Sequence, residues 1–331
     1  MDSVAGTSGK RIILDSEWDI APLDVLMDDL LDSDRRGGPT PHGWHKWNDL
    51  LQCPRKYDLL YNQNRAPMAR SNALEFGGLI HECLALYYEE IDAFMAEVDN
   101  TRADRLYAAF CDEPRWIRLL TGILDSGVES YMEIAQDVKR LMDAYIGFYP
   151  MLQDPFLQHE VVAVEEFVEV QGTFPFTSRI DLVYRTVGGL WIVDHKSSRA
   201  MGQDLTSGWA INGQMLGLAY AATHHWPDEP ILGLIINVLV RTKTPQFKRV
   251  TLPLRRDLIG EWITKMEIWL NSILPQYETT GWPPNYASCI HRYGRCPFYS
   301  YCEAGEADAL LDEPPRPMLE IDTDNIDDIE V

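Results

Sequence analysis

Two aspartates and a lysine in one short stretch carry the most chemistry in this chain. Ser178-Arg179-Ile180-Asp181-Leu182-Val183-Tyr184 is followed by Gly188-Gly189 and then by Leu190-Trp191-Ile192-Val193-Asp194-His195-Lys196. β-Branched and aromatic residues on both sides of paired glycines read as two strands joined by a tight hairpin. With the glycines as a two-residue loop, Val187 pairs with Leu190, Asp181 with Lys196 and Val183 with Asp194. Asp181 and Asp194 are then diagonal neighbours on one face, about 7–8 Å apart, and Lys196 shares that face. Two buried carboxylates repel unless a cation or a shared proton intervenes. The lysine offsets part of that charge, and a divalent metal can offset the rest. A solvated surface hairpin is the alternative, but Trp191-Ile192-Val193 are residues of a buried strand, where an unpaired acid is costly.

The elements around this hairpin supply further candidates. Phe76-Gly77-Gly78-Leu79-Ile80-His81-Glu82 opens a helical pattern in which positions 77, 81, 84 and 88 share a face, with His81 either a packed residue or a metal ligand. Val161–Val170 reads as a strand of imperfect alternation in which Glu165 or Glu166 can add another acid near the site. Gly208–His224 reads as a helix carrying Gln214 and Tyr220. Ile231–Val240 is a buried strand, Phe247–Leu254 its partner, and Leu258–Leu274 a covering helix. Trp44–Gln52 begins the ordered chain, with Asn48 as a candidate cap, and Pro54 suits the first turn of a second helix. Residues 93–155 read as mainly helical. Helices, a strand series, a helix and a further strand make a mixed α/β sheet flanked by helices.

The 331-residue chain, 46% apolar and 24% charged, has the composition of a globular protein. Its start, MDSVAGTSGKRIILDSEW, lacks the apolar core of a signal peptide, and no apolar run is long enough to span a bilayer, so cytoplasmic residence without membrane contact is the expectation. Net charge is −22, which argues against a surface coated with positive charge for loose DNA binding. From Glu303 onward eleven acids face one arginine, and residues 305–331 read as a flexible acidic tail. Such a tail either limits DNA binding and engages a basic partner, or serves only solubility. The phosphate loops GxGxxG and GxxxxGK[ST] are absent.

Six cysteines occur, at 53, 83, 111, 289, 296 and 302. Cys289, Cys296 and Cys302 are grouped, and Cys53 can complete a four-thiolate set suited to zinc or to an iron–sulfur cluster. Cys83 and Cys111 read as buried thiols.

Asp181 followed across a hairpin by Asp194-His195-Lys196 resembles the core of the PD-(D/E)XK nuclease superfamily. Gly78-Leu79-Ile80-His81-Glu82 resembles the histidine motif of its RecB-like exonuclease branch. Cys53-Pro54-Arg55-Lys56-Tyr57 with the late cysteines resembles the split iron–sulfur site of CRISPR-associated, AddB-like and phage-encoded members. The resemblance spans residues 44–304, between a lead-in at 1–43 and the tail. It implies a restriction-endonuclease-like fold with a helical insertion at 93–155 and a cysteine-ligated region at 289–302. His81, Asp181, Asp194 and the His195 carbonyl would bind Mg²⁺ or Mn²⁺. Lys196 would act on the attacking water and the scissile phosphate, supported by Gln214 and Tyr220. Cys53, Cys289, Cys296 and Cys302 would hold a 4Fe-4S cluster, with zinc the alternative. Arg179 and Arg199 are candidate phosphate contacts.

The implied activity is a metal-dependent DNA exonuclease on single-stranded or frayed ends, serving recombination, repair, replication or CRISPR adaptation with a protein partner. A non-catalytic DNA-binding or adaptor subunit retaining the fold is the alternative.

Overall fold

The computed structural model describes residues 40–65, 72–96, 114–125, 129–202, 208–291 and 294–304. The lead-in up to residue 39, Cys111 and the acidic tail at 305–331 lie outside the described residues. Helices α1 (Trp44–Gln52) and α2 (Pro54–Tyr57) come first, followed by α3 (Asn72–Ala96), α4 (Arg115–Asp125) and α5 (Glu129–Phe148). Strands β1 (Glu160–Gln171), β2 (Pro175–Thr186) and β3 (Gly189–Ser198) form the meander expected around the hairpin. After α6 (Gly213–His225) come β4 (Ile231–Val240), β5 (Gln246–Pro253), α7 (Arg256–Ile268) and α8 (Leu274–Thr280). A small ribbon, β6 (Ile290–His291) with β7 (Gly294–Arg295), and α9 (Tyr299–Ala304) close the described chain.

The central sheet has the order β1-β2-β3-β4-β5. β3 and β4 run parallel and the other neighbours antiparallel. A parallel pair needs a crossover, which α6 supplies. β4, ILGLIINVLV, is buried almost throughout, as its uninterrupted apolar run predicts for a strand covered on both faces. Helices α3, α4 and α5 pack on one another, and α3 lies on β1, β2 and β3; α6 packs on β1 through β4 and on α7. The main core includes Val168, Ile180, Ile192, Ile236, Leu218, Trp262 and Met266. At Gly217 any side chain would press into the Phe176 ring, so the missing Cβ sets how closely α6 approaches the sheet. Among the described residues no helix is long and apolar enough to cross a membrane.

Two local expectations are corrected. The hairpin register is Leu182↔Val193, Tyr184↔Trp191 and Thr186↔Gly189, so Val187-Gly188 form the loop and Gly189 belongs to β3. Gly189 has φ +139, and the Pro230 carbonyl stands where its Cβ would be, so glycine is demanded by the neighbouring chain. The first helix is capped by Gly43, which leaves Asn48 inside it. Pro54 does open α2.

Behind the sheet, helices and strands are tied by buried polar groups. Arg249 of β5 donates to Asp154 at 2.5 and 2.8 Å and to the Tyr145 hydroxyl at 3.0 Å, with its guanidinium over the Phe156 and Tyr149 rings. Asn237 Nδ2 donates to Tyr145 Oη at 2.9 Å, and the Tyr88 and Tyr145 hydroxyls are 2.7 Å apart. Asp154 is fully buried. Removing one member of such a pair leaves the other charge without compensation. Asp154→Ala is therefore expected to lower unfolding free energy by about 3–5 kcal/mol in urea denaturation. A loss below about 1 kcal/mol would show that water readily replaces the carboxylate.

Candidate metal-dependent nuclease site

The corrected register sharpens the site. The β2–β3 ladder stops at Leu182↔Val193, and the next positions on the two strands are Asp181 and Asp194, facing one another. On the other side, the pairs Val164↔Leu182 and Glu166↔Ile180 bracket Glu165 opposite Asp181. Glu165, Asp181 and Asp194 thus form a row of carboxylates across three adjacent strands. Like charges placed directly opposite are destabilising, so the row exists only with compensation around it.

Backbone strain helps place Glu165. Its φ is +49, a left-handed conformation that a non-glycine residue rarely adopts inside a strand, and the register slips nearby between Val161 and Ala163. The sequence had left the extra acid open between Glu165 and Glu166, and its broken alternation was the visible trace of this irregularity. Glu166 instead meets His225 at 3.1 Å.

Helix α3 brings His81 over the row, with Nδ1 3.4 Å from Asp181 Oδ2. Donor atoms of His81, Glu165 and Asp181 lie within 4.8 Å of one another, the only such group of three metal-ligating side chains among the described residues. The His195 backbone N–H donates to Asp181 Oδ2 at 2.6 Å. Lys196 Nζ lies 2.7 Å from Asp194 Oδ2, an ion pair off the angle of a hydrogen bond. Gln214 Nε2 donates to Asp194 Oδ1 at 3.2 Å. Gln214 sits in the first turn of α6, whose start is fixed by Asn212 accepting from the Gln214 N–H.

These environments push the acids apart. Burial would raise the Asp181 carboxyl, but His81, His195 and Lys196 together hold it below the usual carboxylate range. Burial, and then the Asp181 charge, pushes Glu165 well above that range. Burial raises Asp194 too, with Lys196 opposing and Asp181 reinforcing the shift. His81 is pushed up to about 9, because Asp181 and then Glu165 outweigh burial. The His195 ring is pulled down to about 3, chiefly by burial, and is neutral. It turns away from Asp194 and Lys196, as strand alternation predicts, toward Asn237 Nδ2 at 2.9 Å and the Tyr88 ring.

Tyr220 stands apart from the site. It packs against Phe174, Phe176 and Trp262 in the core and makes no hydrogen bond to the site acids. Cys83 is buried, as expected. The other cysteines described share one neighbourhood: burial, then Cys302 and Cys53, raise the Cys289 thiol, and Cys53 and Cys289 act on Cys296. Residues 283–289 are docked on the α1–α2 junction. Asn285 N–H donates to Cys53 Sγ at 3.3 Å, its side chain and Ser288 Oγ to the Gln52 carbonyl, and Arg55 N–H to the Pro283 carbonyl.

A sequence profile of the PD-(D/E)XK nuclease superfamily matches residues 45–303, from α1 through the last helix and including every site residue above. The chain belongs to the PD-(D/E)XK nuclease superfamily. Among solved structures it is similar to a candidate exonuclease from Eubacterium rectale, 12% identical over 82% of this chain and 90% of that one, with TM-score 0.45. It is also similar to SSO0001, 13% identical over 85% of this chain and 96% of that one, with TM-score 0.33. Superfamily membership rests on the profile match, not on these two likenesses. Comparison with curated proteins gives no match.

The donor set of this PD-(D/E)XK site, carboxylates and one imidazole, suits a hard divalent ion. Because such an ion takes the deprotonated imidazole, and His81 sits near 9, binding at neutral pH must release a proton. Mn²⁺ affinity is therefore expected to rise between pH 7 and pH 9, up to about tenfold per unit. Calorimetry in buffers of different ionisation enthalpy should show the release at pH 7. A pH-independent affinity over that range would remove His81 from the ligand set.

Proposed function

We propose that this protein is a divalent-metal-dependent deoxyribonuclease of the RecB-like branch, an exonuclease on single-stranded or frayed DNA ends. The row of Glu165, Asp181 and Asp194 across three strands, beneath His81 and beside Lys196, carries this reading. A purely structural site has no use for three acids in line, Asp194 buried and Glu165 and Asp181 half-buried. His81, Glu165, Asp181 and Asp194, with the His195 carbonyl, are the residues that would hold Mg²⁺ or Mn²⁺. An ion held there would supply a lowered pKa for its water and polarisation of the phosphate.

The chain's own residues do the remaining work. Gln214 fixes the Asp194 carboxylate through Oδ1 and leaves Oδ2 directed at Lys196. Lys196, held beside Asp194, would orient the attacking water and face the charge on the scissile phosphate. The His195 N–H holds Asp181 Oδ2, so this acid keeps its orientation through the cycle. Ends of this kind arise in recombination, repair, replication and CRISPR adaptation.

End-labelled single- and double-stranded DNA, incubated with Mg²⁺ or Mn²⁺, tests the reading. Lys196→Ala is expected to lower cleavage by about 10²–10⁴-fold, the usual range for losing a group that moves or positions a proton. Equal rates for the variant and the unmodified protein would leave a DNA-binding or adaptor role.

The same proposal gives Cys53, Cys289, Cys296 and Cys302 to a structural 4Fe-4S cluster. The support is that the four thiols come from opposite ends of the domain into one neighbourhood. Anaerobically purified protein is expected to hold about four irons per chain, lost in Cys53→Ser. One zinc and no iron would instead indicate a zinc clamp.

A further inference from the structure

Beyond Lys196, the parallel strands β3 and β4 end together. Ser198 pairs with Val240, and the next residue on β4, Arg241, donates its backbone N–H to the Ser198 carbonyl at 2.8 Å. Arg199 follows Ser198 on the other strand. Two arginines therefore leave the sheet side by side, at the carboxyl ends of parallel strands, where crevices in such sheets receive ligands. Arg199 is three residues beyond Lys196, about 10 Å along the strand.

The two side chains are arranged differently. The Arg241 guanidinium lies 4.0 Å from the Phe76 ring centroid, and Phe76 is buried on α3, five residues before His81. Stacking fixes the plane of the guanidinium and leaves its N–H edge available. Arg199 is exposed and makes no ion pair or hydrogen bond with the described residues. The acid facing Arg241 from α5 is Asp137, which is already paired with Arg140 at 3.1 Å, and Arg140 also donates to the Thr242 carbonyl at 2.9 Å. Lys243, exposed, adds another positive charge. In a chain of net charge −22, the cations Arg199, Arg241, Lys243 and Arg140 stand beside one acid, Asp137, among the described residues named here. The closeness of Arg199 also works with burial to weaken Arg241's hold on its proton, and an anion between the two would relieve the repulsion.

We infer that Arg199 and Arg241 form a phosphate-binding subsite that grips a DNA backbone phosphate flanking the cleaved one. The inference rests on the nuclease reading and assigns the direction in which the strand leaves Lys196: along β3, past the start of α3. Guanidinium pairs suit this task because each presents two parallel donors to a phosphate.

The test is fluorescence anisotropy of the full chain with a dye-labelled single-stranded oligonucleotide, in Ca²⁺ to hold cleavage off, over a series of salt concentrations. The Arg199→Ala, Arg241→Ala double variant is expected to bind about tenfold more weakly. Its slope of log affinity against log salt should fall by about 0.7, the value for one lost phosphate contact on a single strand. Arg255→Ala, which removes a cation paired with Asp257 elsewhere on the surface, should behave as the unmodified protein. In cleavage with Mg²⁺, KM should rise with kcat within about twofold, since neither arginine reaches the cleaved bond. Arg199→Ala alone carries the test if loss of the Phe76 stack unfolds the Arg241 variant.

Affinity and salt slope equal to those of Arg255→Ala would overturn the subsite. Absence of DNA binding by the unmodified protein would overturn it together with the nuclease reading. Binding without cleavage would sink only the nuclease reading, and the comparison of slopes would still decide the subsite.

Discussion

Mutual repulsion among Glu165, Asp181 and Asp194 is the constraint on which the rest of this structure depends. Neighbouring strands stand under 5 Å apart, so carboxylates at facing positions cannot all be ionised without help. The help comes from three directions: His81 from a helix above, the His195 N–H from within the sheet, and Lys196 with Gln214 from beside it. Each comes from a different part of the chain, so sheet and helices must be in place before the row is tolerable. The conformational strain at Glu165 belongs to the same arrangement.

Stiffness behind the row matters as much as charge in front of it. His195 is neutral and buried, and its ring is held by Asn237, which is bonded in turn to Tyr145, a residue shared with Tyr88 and Arg249. This network ties β3, β4, β5, α3 and α5 into one block. A histidine between Asp194 and Lys196 on β3 therefore acts through its surroundings, keeping the backbone on which these two candidate site residues stand from shifting.

Much of this was legible in the sequence, and the failures have physical causes. β4 was read at its true bounds because a strand covered on both faces is apolar throughout. His81, Asp181, Asp194, Lys196 and Gln214 were all singled out as candidates, and the structure brings them together. The hairpin register was wrong by two residues. That slip preserves the faces, which is why the same side chains still share a face. Its cause, the Pro230 carbonyl at Gly189, is a tertiary contact invisible to turn chemistry. Glu165 stayed ambiguous because broken alternation signals an irregular strand without saying which residue turns left-handed. Tyr220 was misplaced because helical spacing does not say which neighbours a face meets; here they are Phe174 and Trp262.

The docking of residues 283–289 on the α1–α2 junction has a consequence for how the chain is made. Asn285 and Cys53 are separated by 232 positions, so this contact forms only after nearly the whole domain has left the ribosome. Loop closure over such a length is slow relative to local helix and hairpin formation. The three acids and His81 are all synthesised by the end of β3, well before the segment that fastens the two ends of the domain. A half-finished chain carries the acids and His81 but not this last contact, so the order of synthesis separates making the carboxylate row from locking the body that supports it.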